Sequence, residues 1–87
     1  MPEPVWTVYL LRCADNTLYC GVTTDLERRL AEHNNGTASK YTRVRLPVAV
    51  AAHVAVESKG DALRLEMAVK KQPRQAKIHY LNSHGKT

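Results

Sequence analysis

Cysteine, acidic residues and long apolar runs are all scarce in this chain of 87 residues. Its two cysteines, Cys13 and Cys20, have neither a Cys-x-x-Cys spacing nor a histidine pair beside them, which argues against a disulfide scaffold or a zinc site and favours reduced, buried thiols. No segment approaches the roughly 20 apolar residues of a membrane span, and residues 1–4 do not resemble a signal peptide. We therefore expect no membrane association and a cytoplasmic protein.

The acidic residues are outnumbered, since eight Asp and Glu stand against thirteen Lys and Arg and the formal net charge is +5. Such an excess favours polyanionic partners without identifying one. A chain of this length buries only about 60–65% of its unfolded surface, which is enough for one core. We expect a single domain over residues 1–87, a monomer, with a core over about 5–82 and a flexible tail at 83–87.

β-branched, aromatic and aliphatic residues predict two strands, at 5–13 and 18–22, with turn-forming residues between them. The register of this hairpin is open on local grounds, because two-residue and three-residue loops are both common. A two-residue loop would point Tyr9 and Tyr19 to opposite faces of the sheet. A three-residue loop would place Tyr9 opposite Gly21 and both tyrosines on one face.

A predicted capping box at Thr24 and Glu27 and a stop signal at Gly36 delimit a first helix over about 25–35. At about 100° per residue, one side of this helix carries Leu26, Arg29, Leu30 and His33. The arginine and the histidine therefore share the buried side with two leucines, whereas a solvated face would have placed them among the glutamates.

The segment 36–45 is basic with almost no aliphatic residues, and we interpret it as an exposed loop. The apolar run 46–56 predicts a strand buried on both faces, which would be the central strand of the sheet. We expect His53, within that run, to be an ordinary strand histidine.

Ser58 is a predicted cap for a second helix that ends near Pro73. A third helix follows over about 74–82, with Ile78 and Leu81 inward and Lys77 outward. The apolar side of the second helix also contains Glu66, and a carboxylate there is costly to desolvate unless it is paired, hydrogen-bonded or bound to a metal.

Five polar residues thus face inward: Tyr9, Tyr19, Arg29, His33 and Glu66. Phosphodiester cleavage needs a base for water, a cation for the developing negative charge and commonly a metal held by a carboxylate, and these residue types supply all three. They would equally suit a structural cluster in which Arg29 pairs with Glu66 and the tyrosines pack. The residue types alone leave both interpretations open.

The spacing of these residues resembles the GIY-YIG nuclease superfamily over about residues 5–80, and is most similar to its small stand-alone bacterial members. The resemblance implies an α/β (α+β) domain with a three-stranded antiparallel sheet flanked by helices. Its motifs occur in this order: Thr7-Val8-Tyr9, Tyr19-Cys20-Gly21, Asp25-Leu26-Glu27-Arg28-Arg29-Leu30 with His33, and Glu66.

The resemblance also implies roles for these residues. Tyr9 and Tyr19 would lie near the attacking water or the scissile phosphate. Arg29 would stabilise the phosphoryl transition state, and Glu66 would bind one Mg²⁺ or Mn²⁺. His33 lies where relatives carry a histidine or tyrosine that acts as, or assists, the general base.

Three positions depart from the family pattern. Thr7 replaces a glycine, Cys20 replaces an isoleucine, and Val22 stands where several relatives carry a lysine that assists catalysis. Gly21 is retained and would keep the backbone tight where the strand meets the helix.

We therefore expect a metal-dependent endonuclease acting on nucleic acid, with DNA favoured over RNA and a role in DNA repair or processing. The alternative is a catalytically weak or inactive nucleic-acid-binding module of the same fold. As base, His33 is favoured over Tyr9, because a phenol with a pKa near 10 is only about 0.1% ionised at pH 7 whereas an imidazole is mostly neutral. The predicted nucleic-acid contacts are Arg28, Lys40, Tyr41, Arg43, Arg45, Lys70, Lys71 and Arg74.

Overall fold

The computed structural model describes residues 5–84, which form a three-stranded antiparallel sheet flanked by helices, as expected. Helix α4 includes residues 83 and 84, which the sequence assigns to the tail, and positions 85–87 lie outside the described residues. In chain order the elements are β1 (Trp6–Arg12), β2 (Leu18–Thr23), α1 (Leu26–Asn34), α2 (Lys40–Arg43), β3 (Ala49–Val56), α3 (Lys59–Lys70) and α4 (Arg74–His84).

The hairpin between β1 and β2 has the three-residue loop. Cys13 N–H donates to the Thr17 carbonyl at 2.9 Å, and Asn16 takes the left-handed conformation (φ 67°) that closes such loops. In the resulting register Tyr9 pairs with Gly21, and Leu11 pairs with Tyr19. The two tyrosines consequently lie on one face of the sheet.

The strand order is β2-β1-β3, so β1 is the central strand and β3 lies at an edge. The prediction that the run 46–56 forms the central strand is wrong. Its residues Ala49, His53 and Ala55 are exposed, and alanine is small enough to be tolerated at exposed positions while making a strand look apolar throughout.

Alternation along β1 divides the interior into two clusters, one on each face of the sheet. Val8 and Leu10 point towards α3 and α4, and Tyr9 and Leu11 point towards α1. The first cluster contains Val8, Leu10, Cys20, Ala52, Val54, Ala62, Leu65, Val69 and Leu81. The second contains Tyr9, Leu11, Cys13 and Val48, with Tyr19, Leu26, Leu30, Leu46 and Val50 packed against it. Both cysteines are buried and free, as expected.

Capping differs in detail from the sequence prediction. Asp25, not Thr24, caps α1, and its carboxylate accepts from the Arg28 N–H at 3.1 Å. Ser58 caps α3 as predicted and accepts from the Asp61 N–H. Among the described residues, no helix combines the length and the apolar character needed to cross a bilayer.

Two other predictions about exposed segments are wrong. The segment 36–45 is not only a loop, because it contains the helical turn α2, on which Thr42 is fully buried. Lys77 does not point outward, since its Nζ donates to the carbonyls of Val69 and Lys70 at 3.0 and 3.1 Å. A lysine is well placed there, because the last carbonyls of a helix have no partner within the helix.

Candidate active site

The centre of the candidate site is a hydrogen bond between two buried side chains, Tyr9 from β1 and His33 from α1. The Tyr9 hydroxyl lies 3.0 Å from His33 Nε2, and the histidine is fully buried. The Tyr19 ring meets the imidazole edge to face, with ring centroids 5.1 Å apart. A phenol and an imidazole from two distant parts of the chain are thus joined, as the buried stripe of α1 predicts.

The second nitrogen of His33 contacts a residue that sequence reasoning missed. Nδ1 lies 2.8 Å from the hydroxyl of Thr42, which is fully buried on α2. The surrounding segment lacks apolar periodicity, so nothing in it marks a buried position. Its one usable signal is Ser39, which caps α2 by accepting from the Tyr41 N–H and so places residue 42 one turn into a helix.

Arg29 lies beside the Tyr9 hydroxyl at the surface of this cluster. Its Nη1 donates to Glu32 Oε1 at 2.9 Å, and 37% of its side chain is exposed. The predicted structural pair of Arg29 with Glu66 is wrong, because Glu32 on the next turn of α1 is the closer carboxylate partner. Hydrogen bonding to Glu32 and to Tyr9 raises the pKa of the guanidinium further, which keeps it charged.

Burial and Arg29 together set the ionisation of the two central groups. Burial raises the pKa of the Tyr9 phenol, and hydrogen bonding from Arg29 partly opposes that rise. Burial lowers the pKa of His33, and the charge of Arg29 lowers it further, against the opposing charge of Glu32. At neutral pH the phenol is therefore protonated and the imidazole is neutral, with one nitrogen available to accept a proton.

Gly21 makes room for Tyr9. A Cβ at position 21 would lie 2.5 Å from Tyr9 Oη and 2.6 Å from Cζ, closer than van der Waals contact allows. The glycine lies within β2, opposite Tyr9, and not at the junction of strand and helix where the family resemblance places its role. A glycine is therefore required at position 21 because the Tyr9 phenol occupies the space that a side chain would need.

A stack of side chains extends the cluster towards α2. The Tyr41 ring stacks on Tyr19, with centroids 6.0 Å apart, and Arg45 Cζ lies 3.8 Å from the Tyr41 centroid. Arg45 also donates to Asp15 and to the Tyr41 carbonyl. Tyr41 therefore already contacts the ring of Tyr19 and the guanidinium of Arg45. Because Arg45 covers the Tyr41 ring, a base could stack on that side of the ring only if Arg45 moved aside.

Glu66 is the predicted site residue that, within residues 5–84, makes no hydrogen bond or ion pair with the other four. It lies on α3, where its carboxylate pairs with Lys70 Nζ at 3.2 Å. Burial raises the pKa of the Cys20 thiol to about 12, and the nearby Glu66 carboxylate adds to that rise. Glu66 therefore lies near Cys20, whose side chain belongs to the cluster on the other face of the sheet from Tyr9 and Tyr19.

A cleft of about 210 Å³ lies at the edge strand β2. Its lining includes Tyr19 and Tyr41 from the cluster, and Lys70, the partner of Glu66, from α3. The cleft therefore extends from the aromatic stack to Lys70, while Glu66 itself is not among the lining residues.

Among the described residues, Glu66 is the predicted ligand for a divalent cation on the α3 side of the sheet. Residues 5–84 contain no group of three or more His, Cys, Asp or Glu side chains able to share a metal. The Glu66 side chain is 18% exposed, and its partner Lys70 is 57% exposed and therefore able to turn away. Such a donor set suits a hydrated Mg²⁺ or Mn²⁺ that takes its remaining ligands from water and phosphate.

The predicted nucleic-acid contacts are spread over α1, α2 and the region where α3 ends and α4 begins. Lys40 and Arg43 are exposed on α2 near the cluster, whereas Arg74 donates to the Asn16 carbonyl at the hairpin loop. There a larger cleft of about 400 Å³ is lined by Arg74 and by Arg12, which sequence reasoning missed. The remaining predicted contacts are Arg28, which is exposed near Glu32, and the exposed Lys71.

His53 is exposed and pairs directly with Tyr9, so it lies on the same face of the sheet as the cluster. Its position beside Tyr9 was not expected. The other two histidines outside the cluster are on α4.

Comparison with known proteins gives consistent matches over almost the whole chain. Residues 5–79 match the model of the GIY-YIG catalytic domain. A UPF0213 protein of Nitratidesulfovibrio vulgaris is 47% identical over 83 residues, covering 95% of this chain and 76% of that protein. A UPF0213 protein of Streptococcus agalactiae serotype V is 49% identical over 77 residues, covering 88% of each.

Two solution NMR structures are similar to this fold. The UPF0213 protein BH0048 from Bacillus halodurans has a TM-score of 0.56 and 40% identity, with 93% of this chain and 86% of that chain covered. The protein EF2693 from E. faecalis has a TM-score of 0.65 and 39% identity, with 95% and 88% covered.

Proposed function

This chain belongs to the GIY-YIG family, a nuclease family, and we propose that it is a divalent-metal-dependent endonuclease that hydrolyses phosphodiester bonds in DNA during repair or processing. One observation carries the proposal: the buried Tyr9 hydroxyl lies 3.0 Å from His33 Nε2, and the Arg29 guanidinium is near enough to oppose the rise that burial causes in the pKa of the phenol. A cluster built only for packing would have no need of a neutral base and a fixed cation at the same hydroxyl. That the protein is a monomer and is located in the cytoplasm stays a prediction from the sequence.

In the proposed reaction, Tyr9 and His33 act as one proton-accepting unit. His33 is fully buried, so it reaches a substrate water only through the Tyr9 hydroxyl. Tyr9 is itself almost completely buried, but Arg29 beside it is partly exposed. A phosphate bound by Arg29 would therefore lie next to that hydroxyl, where the attacking water is needed.

Arg29 and Glu66 supply the charges. Arg29 holds the negative charge that develops on the phosphoryl oxygens, and this requires the phosphate to compete with Glu32 for the guanidinium. Glu66 would hold the metal, which when bound polarises the phosphate and lowers the pKa of coordinated water. Tyr19 lines the cleft together with Lys70, the partner of Glu66, and would position the substrate there.

The nucleic-acid backbone would follow the exposed cations on α2 and at the β2 edge. With four to five phosphate contacts, log K should fall against log salt with a slope of about −4. The same measurement with Arg12→Ala and Arg74→Ala tests whether the larger cleft lies on the path, since each lost contact should reduce the slope by about 1.

The proposal is tested by incubating the protein with supercoiled plasmid, branched DNA, single-stranded DNA and RNA, with Mg²⁺, with Mn²⁺ and with EDTA. We expect cleavage with a metal and none with EDTA. Glu66→Ala should abolish cleavage, and the matched control Glu57→Ala, an exposed glutamate before α3, should retain it.

Each outcome of this test decides one part of the proposal. Cleavage by Glu66→Ala at the wild-type rate would contradict the metal assignment alone. Binding without cleavage of any substrate would favour the inactive nucleic-acid-binding module, for which Val22 at the position of the assisting lysine is the specific observation.

A further inference from the structure

We infer that Thr42 is a positioning residue, which fixes His33 in the tautomer that carries its proton on Nδ1 and so leaves Nε2 free to accept the proton of Tyr9. The inference deepens the proposed function, since it identifies which group takes the proton of the attacking water. It rests on four atoms in series: Tyr9 Oη, His33 Nε2, His33 Nδ1 and Thr42 Oγ1.

The tautomer follows from counting donors and acceptors along this series. A neutral imidazole has one N–H donor and one lone-pair acceptor, and a hydroxyl donates one proton. The Thr42 hydroxyl has an acceptor of its own in the Ser39 carbonyl, at 3.4 Å. If Thr42 donates to Ser39, then His33 Nδ1–H donates to Thr42 and the Tyr9 hydroxyl donates to Nε2.

The opposite tautomer leaves a buried proton without an acceptor. In that arrangement Thr42 donates to Nδ1, and Nε2–H donates to the Tyr9 oxygen. Arg29, which also acts on that oxygen, has donors only. The Tyr9 proton would then have no protein acceptor among residues 5–84, and only a water at the Arg29 side of this almost completely buried phenol could pair it; a buried donor left unpaired costs about 1–3 kcal/mol.

The first arrangement gives every donor in the series an acceptor. It also fixes the direction of proton movement. As water attacks phosphorus, its proton passes to the Tyr9 oxygen while the original Tyr9 proton passes to His33 Nε2. The imidazolium that forms keeps Nδ1–H bonded to Thr42, and the leaving oxygen takes a proton from solvent.

Thr42 is well suited to this task because it is fully buried and fixed by α2. No water competes for Nδ1 at such a position, and a hydroxyl on a fixed turn orients the ring as well as its proton. Tyr9 is thereby the group that faces the water, and His33 is the group that stores the proton.

The test is ¹⁵N NMR of the His33 ring in the free protein, a measurement that needs no substrate. In wild type we expect the lone-pair chemical shift on Nε2 and the protonated shift on Nδ1. Thr42→Val keeps the shape but removes the partner of Nδ1, so the preference for one tautomer should be lost and the two nitrogen shifts should move towards the averaged values of a tautomer mixture. Thr42→Ser should restore the wild-type pattern, and Thr24→Val, at an exposed threonine, should leave it unchanged.

Activity provides the second readout. General acid–base catalysis contributes about 10²–10⁴-fold, so Thr42→Val should lower kcat by at least about tenfold with KM unchanged, and Thr42→Ser should recover most of it. A wild-type spectrum with the proton on Nε2 would overturn the inference, even if Thr42→Val failed to fold. If no substrate were cleaved, the NMR result would still decide the tautomer, so failure of the proposed function is distinguishable.

Discussion

The two faces of β1 have different chemistry although their residues alternate along a single strand. The face towards α3 and α4 presents Val8 and Leu10 to a cluster of aliphatic side chains and one thiol. The face towards α1 and α2 presents Tyr9 to a histidine, and through it to a buried threonine. One strand therefore supplies apolar packing in one direction and a polar site in the other.

The comparison shows how a small domain can hold a buried polar network. Apolar burial supplies most of the folding free energy, at about 25 cal/mol per Å², whereas a hydrogen bond adds only about 0.5–1.5 kcal/mol net. The α3–α4 face therefore holds the sheet together, and the α1–α2 face can place a phenol and an imidazole where packing alone would favour leucines.

The largest effect should come from the apolar face. Leu81 is fully buried on α4, so Leu81→Ala should lower the free energy of unfolding by about 2–5 kcal/mol, measured by urea denaturation. Met67→Ala on α3 removes a side chain that is 59% exposed and should change stability by less than about 0.5 kcal/mol. Equal effects of the two substitutions would contradict the described packing.

The polar face should respond in rate. Arg29→Ala should reduce cleavage by about 10²–10³-fold, by analogy with the loss of an oxyanion donor, while Tm changes little because the side chain is partly exposed. Arg64→Ala, on α3 and with 74% of its side chain exposed, is the control and should cleave within a few-fold of wild type. A loss of folding without a specific loss of rate would favour a purely structural Arg29.

Gly21 tests the close packing of Tyr9. Gly21→Ala should destabilise by about 1–3 kcal/mol, because its Cβ would overlap the phenol. Adding Tyr9→Leu should remove most of that cost, which a double-mutant cycle measures. Gly60→Ala, on α3 with its nearest contact at 3.5 Å, should instead stabilise by up to about 1 kcal/mol.

The smallest effect concerns pH. Burial holds the pKa of folded His33 below its usual value of 6.5, so below that pH the unfolded chain binds more protons. The free energy of unfolding should be greatest above pH 6.5 and fall as the pH decreases from there. His33→Gln should flatten this dependence and His79→Gln, at an exposed position on α4, should not, as denaturation at several pH values would show.

Local patterns in the sequence were enough to predict α1, α3 and α4 and the burial of His33, whereas Arg29 on the same side of α1 is 37% exposed. The hairpin register that places both tyrosines together was one of two open alternatives, and the loop geometry at Asn16 decides it. Strand order was not predictable, because the alanines of β3 are compatible with an edge as well as with a centre.

Thr42 could not be found from the sequence because a hydroxyl becomes part of a site only through what it contacts. Its partner is nine residues away, on another helix. Helix α2 has only four residues, too few for an apolar period to show which side is buried. Lys77 was also missed because its role depends on a contact with another helix: its Nζ donates to a carbonyl near the end of α3.

The most direct test of the account compares Tyr9→Phe with Val8→Ala, adjacent positions that point to opposite faces of β1. For each variant, cleavage rate per folded molecule and urea denaturation are measured side by side. The account predicts that Tyr9→Phe loses at least about tenfold in rate, as a missing proton acceptor should, and that Val8→Ala loses stability while its folded molecules cleave normally. Cleavage by Tyr9→Phe at the wild-type rate would contradict it.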